Sequence, residues 1–177
     1  MFNQKAIIAA ALFAAIGIAS NASATTTTSS FTVSLTVNKT CAVTTSSSSN
    51  IAFSAVNAGG TATSGNGSFS VNCSNGTPFY VGLAPQNVAS NNGVGTMKGS
   101  IGGNNNTITY QLYQNAGLNN VWGNTATSTS AGNGVSGTGA GMSAGKAVSE
   151  TVYAAVTGST DVTPDTYSDT VTINVNF

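Results

Sequence analysis

Short runs in which apolar and polar residues alternate are the feature that most constrains the fold of this chain. One run, FTVSLTVN at residues 31–38, puts Phe31, Val33, Leu35 and Val37 on one face. A period of two is typical of a half-buried β-strand, and no segment after residue 24 shows the 3.6-residue apolar period of an amphipathic helix. The chain is therefore predicted to be all-β.

Further segments with this pattern follow, separated by clusters of Gly, Asn and Ser. We predict strands at 30–38, 41–45, 51–57, 67–74, 78–84, 94–101, 107–114, 147–157 and 167–177. The Gly-rich loop at 123–146 has room for one more short strand. Six to nine short strands with turn signals between them are typical of a β-sandwich.

Residues 1–24 have the pattern of a secretory signal peptide. Lys5 supplies the positive charge, residues 6–19 the apolar run, and Ala22-Ser23-Ala24 a small-residue cleavage site. We expect the mature chain to begin at Thr25. Removing 24 of the 177 residues leaves 153, which suits one domain with its own core. No stretch approaches the roughly 20 apolar residues of a membrane-spanning helix, so we expect a soluble exported protein.

Charged residues make up only 5% of the chain, and His is absent. Without His, a Ser-His-Asp or Cys-His arrangement is impossible, so we expect no enzymatic activity and no cofactor. The sparse charges form no basic patch for nucleic acid. The carboxylates of Asp161, Asp165 and Asp169 would make a poor Ca²⁺ site, and we expect turn or edge roles and no metal. Trp122 lies beside an apolar alternation, which favours a core position over a sugar-binding face.

Cys41 and Cys73 are the two cysteines of the chain. In an exported protein they most simply form one disulfide. Closing a loop of about 33 residues is worth roughly 3 to 4 kcal/mol in the chain-entropy model. The alternatives are two buried free thiols, or a metal site for which two thiols without His supply only half of the ligands.

The stretch YSDTVTINVNF, residues 167–177, matches the first run in pattern, with Val171, Ile173, Val175 and Phe177 on one face. No residue follows in this sequence, so we expect an uncovered sheet edge, which can bind an extended segment of another molecule. The alternative is that residues 31–38 pair within their own molecule. The connection to Cys41 lacks the Gly of a tight hairpin, and the pattern alone leaves both pairings open.

Two longer segments resemble a known family. The segment TVYAAVTGSTDVTPDTYSDTVTINVNF (151–177) is similar to the end of spore coat U domain proteins. The segment ITYQLYQNAGLNNVWGN (108–124) resembles their Y-x-L-Y…V-W-G element, and the alternating run before Cys41 resembles their mature N-terminus. Ala154 and Asp165 depart from the pattern, since many members have Gly at these positions.

This family includes the shaft subunits of archaic chaperone–usher pili of Gram-negative bacteria. The resemblance implies an incomplete immunoglobulin-like β-sandwich that lacks its final strand and is completed by donor-strand complementation. Residues 25–40 would be the donor strand and linker, and residues 41–177 the pilin domain. The implied donor side chains are Phe31, Val33, Leu35 and Val37, and the implied wall of the acceptor groove is Val171, Ile173, Val175 and Phe177.

The implied partners are a periplasmic chaperone, an outer-membrane usher, further copies of the same chain and a tip adhesin. The implied location is a cell-surface pilus that is reached through the periplasm. Room for one domain favours a shaft subunit that homopolymerises into adhesive, biofilm-associated fibres. The alternatives are a minor or tip-proximal binding subunit, and a secreted coat or matrix protein.

Overall fold

The computed structural model describes residues 23–177, so the predicted signal peptide at 1–24 lies outside the described residues except for its last two. The described chain divides into one unit that ends at Thr36 and a second from Val37 to Phe177. Residues 23–36 form no helix or strand, and Phe31, Val33 and Leu35 are 88%, 84% and 87% exposed. The strand predicted at 30–38 is therefore not formed, because a strand requires a ladder partner and this segment has none within the described part of the chain.

The second unit contains the strands. They are β1 (Cys41–Thr44), β2 (Gly65–Cys73), β3 (Pro78–Pro85), β4 (Val94–Gly99), β5 (Thr107–Tyr113), β6 (Val135–Thr138), β7 (Val148–Val156), β8 (Tyr167–Ser168) and β9 (Val171–Asn176). Within the described residues the helical elements are two 3₁₀ turns, Ser47–Ser49 and Ala144–Lys146. No helix in residues 23–177 is long and apolar enough to cross a membrane. The predicted all-β class is confirmed, and β6 is the additional strand within 123–146.

The strands form two antiparallel sheets with the orders β1-β2-β7-β5-β4-β8 and β6-β3-β9. The chain changes sheets near its end: Ser168 of β8 pairs with Lys98 of β4, whereas Val171 of β9 pairs with Pro85 of β3. The single strand predicted at 167–177 is therefore wrong. It is two strands in different sheets, because residues 169–170 carry the chain from one layer to the other.

The core lies between the two sheets. Its buried apolar residues are Phe69, Val71, Cys73, Phe79, Val81, Leu83, Tyr110, Leu112, Trp122, Val152 and Ala154. The Trp122 indole N–H donates a hydrogen bond to the Val81 carbonyl at 2.9 Å, and its ring packs 6.0 Å from that of Phe69. Trp122 is thus a core residue, as predicted, with its polar atom satisfied.

The V-W-G element joins one sheet to the other. The backbone N–H of Trp122 donates to the carbonyl of Leu112 in β5 at 2.9 Å. The Gly123 carbonyl accepts from the N–H of Leu83 in β3 at 2.8 Å. These two bonds close the sandwich along one side.

A disulfide connects Cys41 of β1 to Cys73 of β2, and the two residues are also partners in the β1–β2 ladder. Cys73 is fully buried, so the predicted disulfide points into the core. The pairing continues one residue further, where the Ser74 N–H donates to the Thr40 carbonyl at 2.9 Å. The chain is therefore fixed to the sandwich from Thr40 onward.

The strand predicted at 51–57 is not formed, although its apolar residues behave as the pattern requires. Ile51 and Phe53 are half-buried and pack against the core. No neighbouring strand in the described chain pairs with this segment, so its backbone cannot form a ladder.

Candidate strand-binding groove

An apolar groove of about 940 Å³ opens between the two sheets beside β9. Its floor is made of core side chains from both sheets, including Phe69, Leu83, Tyr110, Leu112, Val152 and Ala154. These floor residues are at most 6% exposed, and Ile51 and Phe53 pack against the same core, so the groove lies over side chains that are already largely shielded from water.

The first wall of the groove is β9. It pairs with β3 on one side, and within the described chain its other edge has no strand partner. Val171 and Ile173 are half-buried and line the groove. Val175 packs against the core, and Phe177 is 36% exposed, with the Lys39 Nζ atom 5.8 Å from its ring centre. Two of the four predicted wall residues thus line the groove itself, whereas Val175 lies toward the far end of β9 and Phe177 follows that end. The role of all four as an acceptor wall stays a prediction.

The second wall is the segment 49–58. The alternation predicted an ordinary strand at 51–57 and gave this segment no part in the site. In the described chain, the backbone groups of residues 51–56 make no hydrogen bond. The segment is held at its start, where the Ser49 hydroxyl donates to the Ser68 carbonyl at 2.6 Å. The chain is held again just beyond its end, where the Thr160 hydroxyl donates to the Gly60 carbonyl. Among the described residues, therefore, the backbone groups in the middle of the segment are not engaged with another strand.

A glycine in β2 lets the second wall approach the sheet. A Cβ atom at Gly67 would lie 2.4 Å from the carbonyl oxygen of Ser49, closer than real Cβ contacts occur. The alternation of Ile51 and Phe53 was the available sequence signal for this wall. The alternation gave no indication that this segment has no partner strand among residues 23–177.

One end of the groove is formed by residues 163–170, which we call the lip. Asp169 holds the lip to both sheets. Its carboxylate accepts a hydrogen bond from the Tyr110 hydroxyl at 2.9 Å, from the Asn87 backbone N–H at 3.1 Å and from the Thr170 N–H at 2.8 Å. Burial raises the pKa of Tyr110 well above its ordinary value, and the Asp169 carboxylate raises it further. The phenol therefore stays protonated and donates to Asp169 throughout the physiological range.

Asp165 ties the lip to the loop between β4 and β5. Its carboxylate accepts hydrogen bonds from the Ser100 hydroxyl, the Ile101 N–H, the Asn104 side-chain amide and the Thr166 N–H, at 2.7 to 2.9 Å. Partial desolvation opposes the charge, but these hydrogen bonds outweigh it and hold the pKa of Asp165 well below its usual range. Many family members have Gly where this chain has Asp165. The carboxylate therefore adds hydrogen bonds between the lip and the loop that follows β4.

The groove suits an extended peptide segment with apolar side chains. A free sheet edge supplies backbone donors and acceptors, while the apolar floor takes alternate side chains. Within residues 23–177, no group of three or more His, Cys, Asp or Glu side chains is placed to hold a metal ion.

The predicted donor residues lie in and next to the N-terminal unit. Val37 is 82% exposed, like the three apolar residues before it in the same pattern. Four large apolar side chains at alternate positions, all more than 80% exposed, are an unusual surface for a monomeric protein. Such a surface is typical of an interaction site.

A model of the Spore Coat Protein U domain matches residues 27–174. No curated protein sequence matches the chain. Among solved structures, the chain is similar to the crystal structure of the CsuC–CsuE chaperone–tip adhesion subunit pre-assembly complex from archaic chaperone–usher Csu pili of Acinetobacter baumannii, with a TM-score of 0.53 and 24% identity. The match covers 80% of this chain but only 41% of that chain. This likeness confirms the predicted fold class, a two-sheet β-sandwich similar to a chaperone–usher pilus subunit. Since the family model spans most of the sequence, the chain belongs to the Spore Coat Protein U domain family.

Proposed function

We propose that this protein is a structural pilin that polymerises by inserting its residues 31–37 into the groove of a neighbouring copy. The observation that carries the proposal is the groove itself, in which an apolar floor borders the edge of β9 that lacks a strand partner in the described chain. The same chain exposes an alternating apolar segment of matching chemistry. Membership of the family and the likeness of fold to a pilus subunit support this proposal.

The dimensions of the two elements support the proposal. A strand rises about 3.4 Å per residue, so residues 31–37 extend over about 20 Å, close to the length of β9. Side chains on both elements repeat with a period of two, so every second donor residue meets the floor. A slip by one residue would turn all four apolar side chains outward, which protects the register.

Apolar burial is the main favourable contribution to insertion of the donor segment. Burying four large apolar side chains contributes about 1.5 to 3 kcal/mol each, or roughly 6 to 12 kcal/mol in all. Backbone hydrogen bonds to the groove walls add to this, and ordering of a flexible segment subtracts from it. An inserted strand would have β9 on one side and residues 51–56 on the other, which would give the predicted strand at 51–57 its missing partner.

Before assembly, the groove would be filled by a strand of a periplasmic chaperone. An outer-membrane usher would then exchange that strand for the N-terminal segment of the next subunit and release the fibre at the cell surface. In this proposal the protein is a non-enzymatic shaft subunit of an adhesive, biofilm-associated pilus that can carry a tip adhesin.

A minor or tip-proximal binding subunit is the second candidate. One observation favours it: the similar solved structure contains a tip adhesion subunit. The two roles differ in stoichiometry. Electron microscopy of material assembled from this chain and its chaperone and usher alone should show long fibres for a shaft subunit, and short or no fibres for a minor one.

The donor role is tested with two matched double variants of the full chain. Val33→Asn with Leu35→Asn changes the apolar face, whereas Thr32→Asn with Ser34→Asn changes the opposite face at the same depth in the segment. We expect the first pair to abolish fibres and the second to preserve them, as seen by electron microscopy of exported material. Normal fibres from the first pair would overturn the proposed function.

A further inference from the structure

We infer that Tyr110 and Asp169 are positioning residues. They hold β9 in the position in which its edge can pair with a donor strand, before any donor strand is bound. This inference rests on the proposed function and concerns how the same groove is prepared for binding. The bond between the Tyr110 hydroxyl and the Asp169 carboxylate, 2.9 Å long, lies at the point where the chain leaves one sheet and enters the other.

The carboxylate of Asp169 connects three parts of the sandwich. Tyr110 belongs to β5, which lies between β7 and β4 inside the larger sheet. Asn87, whose N–H donates to the same carboxylate, follows the end of β3 in the smaller sheet. Thr170, the third donor, is the residue before β9, and its own carbonyl accepts from the Gln86 N–H at 2.9 Å. Asp169 therefore fixes the start of β9 relative to both layers.

The direction of the Tyr110 hydroxyl is set by packing. Its side chain is only 4% exposed, and its ring lies over Gly95, the residue opposite it in the β4–β5 ladder. A Cβ atom at Gly95 would lie 2.1 Å from the ring, so the ring occupies the space that a side chain would need. A rigid phenol in the core thus presents its hydroxyl at the end of the groove.

The two walls of the groove differ in how firmly their backbone is held. The backbone of residues 51–56 makes no hydrogen bond in the described chain, whereas β9 has a full ladder to β3 and a fixed start. A binding edge that is already ordered avoids the entropy cost of ordering on association. We therefore expect the donor to pair first with β9, and the second wall to order afterwards.

Loss of the Tyr110–Asp169 bond should reduce the fraction of molecules whose β9 edge is competent to bind. Apparent affinity falls in proportion to that fraction. A hydrogen bond to a charged group is strong enough to change such a fraction by about 5- to 10-fold. The loss of affinity should appear in the association rate constant. Once the complex has formed, the hydrogen bonds between β9 and the inserted donor strand hold β9 in place.

The experiment uses a full-length background with Val33→Asn and Leu35→Asn, which keeps the groove but donates poorly. The probe is a fluorescent synthetic peptide with the sequence of residues 25–40, and its association and dissociation rates are measured by fluorescence anisotropy. Tyr110→Phe and Asp169→Asn are introduced into this background. Asp161→Asn is the matched control, since the Asp161 carboxylate accepts no hydrogen bond among residues 23–177 and lies outside the groove lining.

We expect Tyr110→Phe and Asp169→Asn to lower the association rate constant about 5- to 10-fold, with dissociation within twofold of the background and no effect of Asp161→Asn. Unchanged association in both variants would overturn the inference, as would an effect confined to dissociation, since that is the result of a merely structural role. Failure of the background protein to bind the peptide at all would instead overturn the proposed function, and this inference with it.

Discussion

The Cα atoms of Cys41 and Cys73 face each other across the β1–β2 ladder at 4.1 Å, and a disulfide joins their side chains. This link lies directly after the predicted donor segment. A load on that segment in a fibre would therefore pass through β1 into β2, the strand that carries Phe69 and Val71 of the core.

Replacement of both cysteines by Ala should lower the free energy of unfolding by about 3 to 4 kcal/mol, because a cross-link that closes a loop of this length restricts the unfolded chain. The measurement is urea denaturation of the purified protein under oxidising conditions. The wild-type protein with added reductant serves as the second arm and should approach the variant. A loss below about 1 kcal/mol in both arms would show that the disulfide is not a main source of stability.

Asp165→Asn should lower the melting temperature at pH 7. The pKa of Asp165 is held below its usual range, so its contribution is fully present above the pKa of an unfolded Asp, about 4. It is lost as the pH falls from there through the lower folded value. Thermal unfolding of both proteins between pH 2 and pH 8 should therefore show a constant difference above about pH 5 that shrinks in strong acid. Asp161→Asn is the control, and a difference that grew in acid would contradict the assignment.

Glu150→Gln should stabilise the protein slightly at neutral pH. Glu150 is half-buried in β7 opposite Phe69, and burial raises its pKa. A raised carboxyl pKa means that the charged form is disfavoured in the folded state, so the cost is present above the folded pKa and absent in acid. The gain should be below about 1 kcal/mol, since solvent screens a half-buried group. Melting curves at pH 7 and pH 3 test this, and an equal effect at both values would point to packing instead.

Gly67→Ala should displace the second wall of the groove. The added Cβ would meet the backbone of Ser49, which cannot yield as a flexible side chain does. We expect a loss of about 1 to 3 kcal/mol in stability and weaker binding of the donor peptide. The control is Gly102→Ala, because a Cβ at Gly102 has no neighbour within 4 Å. Equal peptide affinity in the Gly67 variant and the control would show that the segment 49–58 is not part of the site.

Much of the sandwich could be predicted from the sequence, because core-facing alternation is local. In β2, the inward positions Phe69, Val71 and Cys73 are all buried, as their spacing indicates. The same reasoning located β3, β5 and β7 to within two residues at each end. The prediction needed no knowledge of which strands pair. Each of these strands finds partners on both sides in the structure, so the alternation alone was enough to locate it.

The errors occur where the outcome depends on a partner and not on the pattern. Residues 51–57 alternate as a strand does, but without a neighbouring strand in the described chain they form no ladder. Residues 167–177 also alternate, but the hydrogen bond between Tyr110 and Asp169 belongs to a crossing between sheets that no local pattern encodes. The second wall and the lip were missed for the same reason: they are defined by contacts between residues far apart in sequence.

The central claim is that the apolar segment of one molecule fills the groove of another, and mixing two inactive variants tests it most directly. One full chain carries Val33→Asn and Leu35→Asn and can only accept; the other carries Ile173→Asn in the groove wall and can only donate. Light scattering after size-exclusion chromatography measures the mass of each protein alone and of the mixture. The account predicts monomers from each variant alone and a species of two subunits from the mixture. Fibres from either variant alone, or a mixture that stays monomeric, would contradict it.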